Sequence, residues 1–159
     1  QIDTLILFSN FYLLLEVKYL RGIIHFDPKN HQLIQEVEDK SLKALQDPIL
    51  QVSNQCYKLE TWVKLKSLPT APFEKLVVLT NPKVIVKVLS SPSFVEKHVI
   101  KSPALSGKVV PLLRKHSNSY FDKKTVNKIS KLLIKDHTPL QSSPIAKYKV
   151  FPSDVNSGE

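Results

Sequence analysis

The chain has one cysteine, three glycines, two arginines and no methionine in 159 residues. A lone thiol, Cys56, excludes an internal disulfide and a zinc site built from several cysteines. It points instead to a reducing, cytoplasmic setting. No apolar run approaches the ~20 residues that cross a bilayer, and the longest, Phe11 to Leu20, is interrupted by Glu16 and Lys18. A cleavable signal sequence, an internal repeat and a low-complexity tract are also missing. Because the chain opens on Gln1 and has no Met, a preceding segment is expected. The Ser157-Gly158-Glu159 end leaves a continuation open.

The scarcity of arginine matters because positive charge is otherwise abundant. Lys and Arg total 23 against 14 for Asp and Glu, a formal charge of +9 and a pI near 9.6. Arg21 and Arg114 are the only arginines. Such an excess favours a polyanionic partner. Lysine meets phosphate as a point charge, whereas arginine reads guanine edges with its fork. The composition therefore favours contact with a nucleic-acid backbone without strong sequence readout. The alternative is an ordinary solvated lysine surface.

A chain of 159 residues can bury one proper core. One domain over 1–159 is expected, with a core in 1–90 and a basic, proline-punctuated portion in 91–159. The clearest chemistry lies at the start. Gln1 to Lys18 reads QIDTLILFSNFYLLLEVK, two apolar runs of strand length around a polar break at Ser9-Asn10. Asn10 tolerates positive φ, so the break predicts a hairpin turn. Phe8 then pairs with Phe11, paired position numbers sum to 19, and Asp3 faces Glu16. Side chains alternate along a strand, so Glu16 and Lys18 share a face. Two carboxylates opposed across a ladder destabilise it. A divalent cation would offset that repulsion, since hard cations take carboxylate oxygens, and Lys18 beside them could position a water. Against this stands the ordinariness of Glu-x-Lys, which recurs at Glu38-Asp39-Lys40. A one-residue slip would also send Asp3 to the other face.

An Asp at the start of one strand, a hairpin, then Glu-x-Lys ending the next strand resembles the core of PD-(D/E)XK nucleases. The wording QIDTLIL, then FYLLLEVK, Gly22 and a helix start at Asp47-Pro48-Ile49-Leu50-Gln51 is similar to the nuclease-related domain (NERD) family. The likeness runs from Gln1 to about Pro82. It implies an α/β fold, a restriction-endonuclease-like mixed β-sheet flanked by helices. It further implies a metal-dependent nuclease using Mg²⁺ or Mn²⁺, held by Asp3, Glu16 and the carbonyl of Val17, with Lys18 and Gln51 completing the catalytic set. DNA is the expected substrate, and a homodimer is left open. Members often add an acid from an upstream helix. That helix and a strand are expected to precede this chain, and without them an inactive nucleic-acid-binding module on the same fold is the alternative.

Further along, Ile23 to Phe26 reads as a strand, Asp27 to Asn30 as a turn, and His31 to Gln35 as a returning strand. His25 and His31 flank that turn, but no third metal ligand is near in sequence. Glu36 to Gln46 reads as loop with some helix. Asp47 and Pro48 read as the N-cap and first turn of a helix whose apolar residues are Ile49, Val52, Cys56, Leu59 and Val63. Gln51 lies on that helix, either facing the site or as a plain surface residue. Gln55 and Asn54 receive no role. Lys75 to Thr80 predicts a strand buried on both faces. Val84 to Leu89 fits a helix or a strand, Phe94 to Ile100 a strand, and Ser106 to Lys115 a short helix. Asp122 to Asp136 predicts a basic amphipathic helix. Such a helix suits a membrane surface, a phosphate backbone, or a core-packed position with a solvated back. A last strand is expected at Ala146 to Phe151.

Overall fold

The computed structural model describes residues 2–137; the strand expected at Ala146 to Phe151 lies outside the described residues. The opening hairpin forms as predicted. Its strands are β1 (Thr4–Leu7) and β2 (Tyr12–Lys18), paired antiparallel from Thr4↔Leu15 to Leu7↔Tyr12. Phe8 N–H donates to the Phe11 carbonyl across the turn, and their rings stack 4.6 Å apart. Alternation divides β2 between two cores. Tyr12 and Leu14 join the larger cluster, while Phe11, Leu13 and Leu15 join a smaller one on the opposite face.

The next strands are β3 (Ile23–Asp27) and β4 (Gln32–Glu36), antiparallel around a single 3-10 turn at Pro28–Asn30. β5 (Leu42–Leu45) then pairs with β4. This corrects the expectation of loop and helix between Glu36 and Gln46. Leu-Lys-Ala-Leu has no strong strand composition, but β4 offers an open edge, and pairing outweighs local preference.

α1 (Pro48–Leu65) leads to β6 (Phe73–Leu79), which lies parallel to β2 from Tyr12↔Phe73 to Lys18↔Leu79. β7 (Ile85–Val88) settles the ambiguous Val84–Leu89 run as a strand, parallel to β3. The strand expected at Phe94 to Ile100 is corrected to α2 (Pro92–His98) followed by the short β8 (Val99–Lys101). Pro92 sits in the first turn, and Val95 and His98, three apart, turn inward together. α3 (Leu105–Lys115) lays Leu105, Val109 and Leu112 on the smaller cluster. α4 (Lys123–Asp136) starts at Asp122, whose carboxylate accepts from Thr125 N at 2.7 Å. No helix among the described residues is long and apolar enough to cross a membrane.

The fold is α/β with mixed strand directions, as expected, but the strands divide into two four-stranded sheets, β1-β2-β6-β8 and β5-β4-β3-β7. The chain passes from β2 into β3 and from β6 into β7, keeping parallel pairing in each sheet. Between them, Thr80 N donates to Lys18 O, the Asn81 amide to Leu20 O, and Ile85 N to Gly22 O. Gly22 is needed at this bend. Its φ is +73°, and a Cβ there would overlap the Glu36 carbonyl. The bend begins one residue after Lys18, so the Glu-x-Lys segment stands at the junction of the sheets.

Candidate active site

Glu16 sits in the last turnout of β2 before the bend, on the face covered by α1. The start of α1 is fixed by Asp47, a buried N-cap whose carboxylate accepts from Ile49 N at 2.8 Å and from Leu50 N at 3.4 Å. Residues two apart on a strand are separated by about 6.7 Å. Residues four apart on a helix are separated by about 6 Å along its axis. Glu16 and Lys18 therefore match one turn of the helix above them. Lys18 Nζ donates to Gln51 Oε1 at 3.2 Å, and Gln55 Nε2 donates to Glu16 Oε2 at 2.9 Å.

Glu16 is fully buried. Removing a carboxylate from water is costly unless it is paired and hydrogen-bonded. Its pair is Lys18, with Nζ 2.6 Å from Oε1 and a side chain 29% exposed. Although close, that ammonium is not aligned as a hydrogen bond to Oε1, and the Gln55 carbonyl oxygen likewise has no hydrogen-bond partner. The cluster thus has a buried floor, Glu16 and Gln55, beneath a half-buried rim of Lys18 and Gln51.

Asp3 lies one residue before β1 and is exposed. The paired register ends at Thr4↔Leu15, so Asp3 lies just beyond the ladder. Its Oδ2 accepts from the backbone N–H of Val17 at 3.0 Å, so the carboxylate takes over as acceptor where the β1 backbone ladder ends. The two acids are connected through the Glu16–Val17 backbone and not by a direct bond. Val17 enters this network through its amide. Among the described residues, no group of three or more His, Cys, Asp or Glu side chains is placed to hold a metal.

The structure places Lys18 against Glu16 and Gln51, whereas Asp3 bonds the Val17 amide and joins them only through the backbone. Gln55 is the member that sequence reading passed over. Its spacing of four from Gln51 was the available signal, because a helix face that carries one polar contact to β2 carries the next one turn later. Asn54 is exposed.

The two histidines flanking the Asp27–Asn30 turn take different partners. His25 Nε2 lies 3.1 Å from Glu36 Oε2, and His31 Nδ1 lies 4.0 Å from Asp47 Oδ2. A second charged cluster was not foreseen. Glu74 Oε1 is 2.8 Å from Lys115 Nζ and 2.7 Å from His116 Nε2. Burial raises the pKa of Glu74, but the hydrogen bonds and charges of Lys115 and His116 outweigh it and leave the carboxyl below its ordinary range. These side chains come from β6, the end of α3 and its C-cap, whereas the Glu16 cluster comes from β2 and α1.

A family model described as nuclease-related domain matches residues 1–80, the segment that carries β1 through β6 and both partners of the Glu16 cluster. Nothing among curated proteins or solved structures matches the chain.

Proposed function

The chain belongs to the nuclease-related domain family, and from that premise we propose that it is a metal-dependent nuclease hydrolysing nucleic-acid phosphodiester bonds, with DNA as the substrate. The observation that carries this reading is the buried Glu16 carboxylate with Lys18 at 2.6 Å and Asp3 bonded to the neighbouring Val17 amide. A buried ion pair is a poor way to gain stability, since desolvation offsets most of the attraction. Placing one at the end of a strand, under a polar helix face, makes better sense as chemistry.

The residue types suit Mg²⁺ or Mn²⁺. Asp3 and Glu16 provide hard carboxylate oxygens, with Glu16 Oε1 facing the Lys18 ammonium at 2.6 Å. They would hold the ion together with the Val17 carbonyl. Such an ion would supply a low-pKa water and counter-charge to the scissile phosphate. The chain's own groups do the rest. Gln55 fixes Glu16 through Oε2, and Glu16 and Gln51 hold the Lys18 ammonium in place. From there Lys18 orients the attacking water and stabilises charge that develops in the transition state. Gln51, an uncharged amide, supports that water or a phosphate oxygen. The lone, half-buried Cys56 suits a cytoplasmic setting.

Lys18→Ala tests this directly. Mg²⁺-dependent cleavage of duplex DNA is lost while DNA binding is nearly unchanged, and retained cleavage would overturn the role of Lys18. A second reading is an inactive nucleic-acid-binding module, favoured by the absence of a third convergent acid among the described residues. Salt-sensitive binding with no turnover in Mg²⁺ or Mn²⁺, in a chain extended upstream, decides for that module.

A further inference from the structure

We propose that the lysine face of α4 is a docking surface for the phosphate backbone of nucleic acid, an inference that rests on the nuclease reading but lies outside the segment the family model matches. α4 carries Lys123, Lys124, Lys128, Lys131 and Lys135, all exposed. None of them forms an ion pair among the described residues. The two acids of the segment are engaged elsewhere. Asp122 caps the helix, and Asp136 binds Lys66 at 2.7 Å and the Trp62 indole at 3.1 Å.

The arrangement works against the helix itself. Lys124, Lys128, Lys131 and Lys135 recur at three- and four-residue steps, where like charges repel. Lys123 and Lys124 occupy a first turn that has no acid, where the helix dipole disfavours cations. Cost without a structural return is what a binding surface shows.

The other face of α4 decides the partner. Val126, Ile129, Leu132 and Leu133 pack into the larger core, and Ile129 is fully buried. A helix that lies on a membrane inserts its apolar face, and here Val126, Ile129, Leu132 and Leu133 of that face are packed. What remains outward is a row of cations, with Ile134 as the exposed apolar residue. Eleven residues of helix separate Lys124 from Lys135, about 16 Å, which covers four to five base steps of a duplex at about 3.4 Å each. Lysine without arginine suits phosphate and carries no base code. The last turn also approaches the candidate site. Leu133, Ile134 and His137 share an apolar hollow with Ile2 and Leu5, the residues that bracket Asp3 in sequence.

The test is a salt titration of binding to a mixed-sequence 20-bp DNA duplex by the whole chain, followed by fluorescence anisotropy, with an RNA duplex of the same sequence in parallel. The wild type is compared with a variant carrying Lys124→Ala, Lys128→Ala, Lys131→Ala and Lys135→Ala. The slope of log K against log salt should become shallower by about 0.9 per lysine that meets a phosphate, roughly 3 to 4 in all. A separate Lys123→Glu, Lys124→Glu variant should bind more weakly yet unfold at a higher urea midpoint, because its charges now suit the dipole. Unchanged slopes in both polymers overturn the inference, as does wild-type binding to phosphatidylserine vesicles without binding to either duplex. If slopes are unchanged while Lys18→Ala still abolishes cleavage, the docking surface fails and the nuclease reading stands. If the slope falls but neither protein cleaves, the surface stands and the nuclease reading fails.

Discussion

Glu16 and the lysines of α4 are charged groups treated in opposite ways by one fold. Glu16 is fully buried, with Lys18 and Gln55 within 3 Å of its two oxygens. The α4 lysines stand in water with no carboxylate paired to them among the described residues. A low dielectric makes the first set strongly coupled and intolerant of change. High dielectric and salt make each member of the second nearly independent of its neighbours. Chemistry at one phosphate needs the former. Gathering a long polyanion needs the latter, in which many weak contacts add.

That contrast is open to attack, and the largest effect is expected at Glu16. Glu16→Ala leaves the Lys18 ammonium without its partner and should abolish cleavage and lower stability by about 3 kcal/mol, read by urea unfolding. An equally harmless outcome for Glu16→Ala and the α4 alanines would erase the distinction. Gln55→Leu comes next. It removes the donor to Glu16 Oε2 and leaves that buried carboxylate oxygen without its hydrogen bond, so stability should fall by about 1–3 kcal/mol. Half-saturating Mg²⁺ for cleavage should rise roughly 10- to 100-fold. Asp47→Ala deletes the cap that sets the start of α1 and should cost about 1 kcal/mol, with a modest loss of activity as Gln51 shifts.

The smallest effect concerns Tyr12, where the two regions meet: its ring stacks on Phe73 at 4.5 Å and touches Phe121, the residue before the α4 cap. Its hydroxyl is buried without a partner, and burial pushes its pKa from 10.0 up to about 12. The folded state thus favours the neutral phenol. That contribution is complete below pH 10 and is lost as pH rises through about 12. Tyr12→Phe should flatten the stability curve in this window and raise stability at pH 7 by up to about 1 kcal/mol. The acid limb should persist. Burial keeps His98 below its ordinary 6.5, and Glu74 lies below 4.5 despite its own burial because Lys115 and His116 hold it ionised. Both depressed values mean stability present at higher pH and lost on acidification, beginning below 6.5 for His98.

Much of the hairpin was legible because its signals are local. A two-residue break between apolar runs fixes a register, and the register leaves Asp3 just beyond the ladder, bonded to the Val17 amide. The cap and first turn of α1 were legible for the same reason, since Asp47 and Pro48 act within a few residues. β5 and α2 were not. Leu42–Leu45 becomes a strand because β4 lies beside it, and Phe94–His98 winds into a helix because Val95 and His98 bury together. Gln55 escaped notice because its role depends on a strand 39 residues away.

By itself, the sequence determined which residues carry charge, where the first turn falls and that lysine exceeds acid, since these follow from residue type and short-range sterics. Only the tertiary structure decided that Glu16 is sealed from water, that Gln55 holds it, and that Ile129 anchors α4 in the larger core. Burial depends on what packs across a long stretch of chain, and no local pattern encodes the partner.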